Sequence, residues 1–272
     1  FQIVSKLAKM KQVFTRVAVK VGSNVLTRRD GTLDVTRMSA LVDQIAELHK
    51  SGVEIILISS GAVASGRSEV SPQKKLDSVD QRQLFSAVGQ AKLINRYYEL
   101  FREHNIPVGQ VLTTKESFGT RRHYLNQKNC MTVMLANGVI PIVNENDTVS
   151  TYEMQFGDND TLSAIVAALI DADLLLLLSD IDGLYDSDPH KNPDAKLIHE
   201  VSEIDGKILS LAGGSGSELG TGGMVTKLHA AQIATEAGCE MVIANGWNPD
   251  LLYGIVEGEP IGTRFLAKKV SK

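Results

Sequence analysis

Two cysteines in 272 residues, Cys130 and Cys239, stand far apart, and neither belongs to a CxxC pair. A disulfide framework or a cysteine-based metal site is therefore unsupported, and a reducing compartment, the cytoplasm, suits the chain. Nor is there a basic excess. The 28 Lys and Arg residues face 32 Asp and Glu for a net charge of −4, and Arg28-Arg29 and Arg121-Arg122 are pairs, not runs. Nucleic-acid binders show a basic stripe or patch, so no nucleic acid is expected as a partner. No apolar run approaches the roughly 20 residues of a membrane span. Leu174–Leu178 is only strand length, so no membrane is expected either. The first nine residues, FQIVSKLAK, precede Met10 and lack the small-residue cleavage site after an apolar core that marks a secretory signal. Met10 is read as the natural start, Phe1–Lys9 as foreign residues or an N-terminal extension, and 10–272 as a single domain.

What is present is an ordinary globular balance, 43% hydrophobic and 22% charged, over a length that buries a sizeable core. Apolar runs alternate with helical periodicity. Arg16–Val21, Val53–Ile58, Val108–Leu112, Val139–Val143, Asp173–Leu178 and Glu240–Ala244 read as strands. Between them, Val35–Leu48, Asp80–His104, Tyr124–Ala136, Leu162–Ile170 and Val225–Ala237 follow a helical period. Continuous apolar strands joined by helices predict an α/β fold, a three-layer αβα sandwich around a mainly parallel sheet. Ligands of such folds sit beyond the carboxyl ends of the strands. That rule selects Lys20–Asn24, Ser59–Gly61, Asn144–Asp147, Ser179–Gly183 and the loop before Val225.

The stretch Pro141–Ile170 concentrates the chemistry. A short strand breaks into a polar loop carrying Asn144, Glu145, Asn146, Asp147, Asp158, Asn159 and Asp160, and the loop then enters an apolar helix. So many acids and amides between a buried strand and a buried helix point to a binding or catalytic site, although any one of them fits a helix cap or a solvated loop. Lys20-Val21-Gly22-Ser23 ends the first strand; glycine there lets backbone N–H groups approach an anion while the lysine supplies charge. Many strands end in Lys and Gly, so this loop alone leaves a structural reading open. Ser59-Ser60-Gly61 divides equally between a ligand turn and close packing. Gly213–Lys227, GGSGSELGTGGMVTK, is the strongest nucleotide signal, a glycine-rich loop with Lys227 expected in the first turn of the following helix. It is neither a Walker A motif nor GxGxxG. Ser179 and Asp180 stand where a nucleotide base or ribose would bind, or where Asp180 caps an ordinary turn.

Two lysines in distant segments with carboxylates between them suit phosphoryl transfer, which needs cations around a spreading negative charge and usually Mg²⁺. No serine, histidine or cysteine forms a recognisable nucleophile–base pair. A carboxylate acceptor with a pKa of about 4 needs none, because it is already ionised at neutral pH.

The ordered series KVGS (20–23), SSGA (59–62), NEND (144–147), FGDND (156–160), Ser179-Asp180 with Gly183-Leu184-Tyr185, and GTGGM (220–224) with Lys227 resembles the glutamate 5-kinases of the amino acid kinase superfamily. The resemblance runs from about Lys11 to Phe265. It implies phosphorylation of the side-chain carboxylate of L-glutamate by ATP, the first step of proline synthesis. It implies that Lys20 and Lys227 stabilise the transferring phosphoryl group and that Asp160 holds them. Ser60, Asp147 and Asn159 would bind glutamate. Lys20, Ser179, Asp180, Thr221, Gly222, Gly223, Met224, Val225, Thr226 and Lys227 would line the ATP site, with Mg²⁺ carried by ATP and no protein ligand assigned. Asp158 and Glu145 keep supporting roles. The resemblance also implies a homo-oligomer, dimer or tetramer, and feedback by proline, for which Ser117–Asn126 is the expected segment unless its arginines form a subunit contact. Relatives often carry a C-terminal PUA domain, and none is expected here. The rival readings are an amino acid kinase acting on another substrate, such as acetylglutamate, and a non-catalytic amino-acid sensor.

Overall fold

The computed structural model describes residues 14–150, 159–212 and 221–268. Its centre is β1 (Arg16–Val21), whose side chains alternate between two cores. Val17, Val19 and Val21 enter one, and Ala18 enters the other. The same alternation holds in β2 (Glu54–Ser59) and β5 (Leu174–Ser179): Ile55, Leu57, Leu174, Leu176 and Leu178 face one layer, and Ile56, Ile58, Leu175 and Leu177 the other. Strands buried on both faces read as unbroken apolar runs because each face has its own layer of helices.

Among the described residues the sheet has eight strands in the order β3-β4-β2-β1-β5-β7-β8-β6. The remaining strands are β3 (Val108–Thr113), β4 (Ile140–Glu145), β6 (Glu200–Val201), β7 (Glu240–Asn245) and β8 (Thr263–Phe265). All pairings are parallel except that of β7 with β8. One helical layer holds α1 (Ser23–Leu26), α2 (Val35–Lys50), α3 (Ala62–Glu69), α4 (Ser78–Arg102) and α9 (Leu251–Val256). The other holds α5 (Arg121–Ala136), α6 (Asn159–Leu169), α7 (Gly206–Ala212) and α8 (Thr221–Glu236). The expected three-layer αβα architecture is therefore present.

Local chemistry sets the helix starts. Asp34, Asp77 and Thr120 each accept a hydrogen bond from a backbone N–H three residues on, capping α2, α4 and α5. The cap at Thr120 places Arg121 and Arg122 inside α5, three residues earlier than the apolar period suggests. Helix α3 is poor in large apolar residues and packs by another device. A Cβ on Gly66 would lie 1.8 Å from the Phe85 carbonyl oxygen, and one on Gly89 would lie 1.6 Å from that of Ala62. The backbones of α3 and α4 touch at these two glycines, which fixes α3 against α4. No described helix is long and apolar enough to cross a membrane.

Candidate active site

Strand alternation decides where Lys20 points. It shares a face with Ala18, toward α6 and α8, and lies at the carboxyl end of β1, paired with Ile58 of β2 and Leu177 of β5. There it meets Asp160, in the first turn of α6. Lys20 Nζ is 2.7 Å from Asp160 Oδ1, and Lys227 Nζ of α8 is 3.1 Å from Oδ2. Thr226 Oγ1 donates to the same Oδ2 at 3.0 Å, and Lys227 also donates to the Gly223 carbonyl at 3.3 Å. Both lysines are 8% exposed and Asp160 is 4% exposed. Burial pushes the Asp160 pKa up, but the charges of Lys20 and Lys227 and their hydrogen bonds outweigh it and hold the carboxyl below its ordinary value. The result is a buried Lys–Asp–Lys triad with one net positive charge.

Beside the triad, a cavity of about 330 Å³ opens at the ends of β2 and β4. Gly61, with φ of 104°, turns the chain from β2 into α3 without a side-chain cap, and Ser60 and the first residues of α3 line this space. Asn159 Nδ2 donates to Ser60 Oγ at 2.8 Å and to Asn144 Oδ1 at 3.2 Å, and Asn144 is held in turn by Gln90 at 3.1 Å. Asp147 also lines the cavity. Its Oδ1 accepts from Arg82 Nε at 2.7 Å, and the Nη2 of the same arginine lies 3.4 Å from Glu145 Oε2. Burial raises the Asp147 pKa, opposed by the Arg82 charge and hydrogen bond.

On the other side of the triad, Ser179 ends β5 and Asp180 follows it. Asn24 Nδ2 donates to Asp180 Oδ2 at 3.0 Å, Trp247 Nε1 donates to the Asn24 carbonyl at 3.2 Å, and Ser179 Oγ donates to Asp180 Oδ1 at 3.2 Å. These bonds tie the ends of β1, β5 and β7 together.

The structure thus brings Ser60, Asp147 and Asn159 to one cavity and Lys20, Asp160 and Lys227 to one cluster, as the motifs suggest. It corrects one detail. Helix α8 begins at Thr221, not Val225, so Lys227 stands in its second turn, one turn above the Gly223 carbonyl. Thr-Gly-Gly reads as loop by propensity, and helix packing overrides it. Met224 packs against the apolar core beside α8 while Val225 is exposed, so the two side chains face different surroundings. Asp158 and residues 213–220 lie outside the described residues, as does the side chain of Thr221. Sequence reasoning passed over Arg67 and Arg82, which line the cavity from α3 and α4. No local pattern marks either, because each acquires its meaning only from the crossing of the two helices.

Chemically, two ammonium groups fixed by one carboxylate in a dry setting can stabilise negative charge developing between them. The adjoining cavity, with arginines, acids and amides, suits a small zwitterionic acid. Among the described residues, no group of three or more His, Cys, Asp or Glu side chains converges to hold a metal ion.

Comparison with known proteins gives a consistent pattern. The model of the amino acid kinase family matches residues 15–245. A glutamate 5-kinase of Bacteroides thetaiotaomicron is 66% identical over 260 residues, covering 94% of this chain and 71% of the relative. One from Clostridium acetobutylicum is 47% identical, covering 93% of this chain and 95% of the relative. Among solved structures, the isopentenyl phosphate kinase of T. acidophilum (TM-score 0.65, 15% identity, 92% of this chain and 100% of that one) shares the fold. So does the UMP kinase of Bacillus anthracis (TM-score 0.64, 17% identity, 94% and 97%).

Proposed function

Since the chain belongs to the amino acid kinase family, and within it to the glutamate 5-kinases, we propose that its site works as follows. The protein phosphorylates the side-chain carboxylate of L-glutamate with ATP, giving L-glutamyl 5-phosphate and ADP, the first step of proline biosynthesis. The observation that carries the assignment of the site is the buried Lys20–Asp160–Lys227 triad, set between the cavity and the β5 end of the sheet.

Glutamate occupies the cavity, with Ser60, Asn159 and Asp147 as its ligands and its side-chain carboxylate toward the triad. ATP lies over Ser179, Asp180 and the start of α8, from Thr221 to Lys227. A carboxylate oxygen forms the new bond to the γ-phosphorus as the bond from that phosphorus to the β–γ bridging oxygen breaks, and ADP carries the leaving charge. No base is required, since a carboxylate with a pKa of about 4.3 is already ionised. Lys20 and Lys227 neutralise charge spreading over the equatorial phosphoryl oxygens. Asp160 fixes their positions and reduces their mutual repulsion, so little reorganisation is left for the reaction step. Mg²⁺ carried by ATP would supply further neutralisation of phosphate charge.

The same reading places the enzyme in the cytoplasm, as a homo-oligomer subject to feedback by proline. The two unpaired cysteines suit the compartment. The Ser117–Asn126 segment comprises the end of a 3₁₀ turn (Lys115–Phe118) and the exposed start of α5, on the β3 edge of the sheet. The test of the reaction is incubation with ATP, Mg²⁺, glutamate and hydroxylamine, which converts an acyl phosphate to a hydroxamate. Hydroxamate from glutamate is expected. Its absence with glutamate, and its formation with acetylglutamate or carbamate, would overturn the substrate.

A further inference from the structure

The cavity holds more charge than the three substrate ligands above account for. Two guanidinium groups line it, and they differ. Arg82 is committed to Asp147 and Glu145. Arg67, in the second turn of α3, has no carboxylate within ion-pair distance among the described residues; its guanidinium lies 5.5 Å above the Phe85 ring. A cation held over an aromatic face keeps its N–H donors available for an anion. Asp147 shows the complementary asymmetry. Both contacts from Arg82 fall on Oδ1, and Oδ2 accepts nothing from the described residues. The cavity therefore offers one uncompensated cation and one free carboxylate oxygen. The α3–α4 contact at Gly66 and Gly89 holds the frame on which Arg67, Phe85 and Arg82 are mounted.

We propose that Arg67 is a specificity-determining residue that binds the α-carboxylate of the amino acid, while Asp147 Oδ2 takes the α-ammonium and Arg82 acts as a positioning residue that holds Asp147. The pair then reads the α-amino-acid head, and the opposite end of the substrate is left for the triad. An amino acid whose α-carboxylate is masked loses the Arg67 contact but keeps the rest. This inference rests on the glutamate reading of the cavity.

The test compares wild type, Arg67→Gln and Arg67→Lys in the hydroxamate assay, with L-glutamate and with its α-amide. Thermal melting of each variant reports the fold. Arg67→Gln is expected to raise KM for glutamate about tenfold, the size of one partly exposed charge-assisted hydrogen bond, with kcat and KM for ATP unchanged. Arg67→Lys recovers much of the loss. The preference of wild type for glutamate over the α-amide falls toward one in Arg67→Gln. A glutamate KM within about twofold of wild type, or an unchanged preference, would overturn the inference; so would a loss confined to kcat or a loss that tracks a lowered melting temperature. If wild type makes no hydroxamate from glutamate, the substrate reading itself fails. Normal wild-type activity with an indifferent Arg67→Gln sinks only the role of Arg67.

Discussion

The two sides of the triad are built differently. The acceptor side is walled by regular elements: the ends of β2 and β4, the start of α3, and α4 locked onto α3 where Gly66 and Gly89 admit no side chain. The proposed nucleotide side is made at strand ends that the sheet ladder already pairs, Val21 with Leu178 and Ser179 with Asn245, and the bonds of Asn24 to Asp180 and of Trp247 to Asn24 are added across them. A rigid cavity suits a small acid that must be told from its analogues by a few polar contacts. A row of adjacent strand ends suits a large ligand whose binding energy is spread over phosphates, ribose and base. Asp160 stands at the join, paired with Lys20 and Lys227.

The largest effect is therefore expected at the join. Asp160→Asn leaves two ammonium groups buried without their shared counter-charge. It should cost about 3 kcal/mol or more in unfolding free energy and abolish most turnover, read by denaturant melts and the hydroxamate assay. A variant with wild-type stability would show that the lysines are solvated independently.

Breaking the acceptor side alone comes next. Gly89→Ala drives a Cβ into the Ala62 carbonyl, at a cost of about 1–3 kcal/mol. Because the start of α3 must shift, KM for glutamate should rise while KM for ATP holds. Equal changes in both would remove the distinction between the two sides.

Acid separates the sides through their carboxylates. Asp147 is raised above its ordinary 3.8 by burial, against the pull of Arg82. For Asp160 burial also acts upward, but the two lysines outweigh it and hold it below 3.8. As pH falls, Asp147 protonates first, so KM for glutamate should climb while the triad is still ionised. The same step should be missing in Asp147→Asn. The stabilisation from Asp160, whose folded pKa is depressed, is present above 3.8 and lost only as pH falls through its lower folded value. A simultaneous loss of kcat and glutamate binding would contradict this order. The smallest effect belongs to the nucleotide seam. Trp247→Phe removes one indole hydrogen bond of about 0.5–1.5 kcal/mol, raising KM for ATP no more than about tenfold and leaving that for glutamate unchanged.

The contrast also explains what the chain betrays before it is folded. Unbroken apolar runs mark β1, β2 and β5, and a helical period marks α2 and α6, because those elements bury wide apolar faces. Lys20, Asp147, Asn159 and Asp160 stand at strand ends or a helix start, where the rule for parallel sheets directs attention. Helix α3 escapes such a reading, because its packing comes from missing side chains. The strands β6 and β8, of two and three residues, are too short to carry a period. The Arg82–Asp147 pair joins residues 65 apart in sequence, and nothing local in α4 announces it.

The central claim is that Lys20 and Lys227 act on the transferring phosphoryl group, not on glutamate binding. Single-turnover phosphoryl transfer by Lys20→Ala and by Lys227→Ala, with glutamate affinity measured alongside, tests it most directly. Each variant should lose at least ~100-fold in the transfer rate with glutamate affinity retained. Variants that keep most of the wild-type rate, or that lose only glutamate affinity, would contradict it.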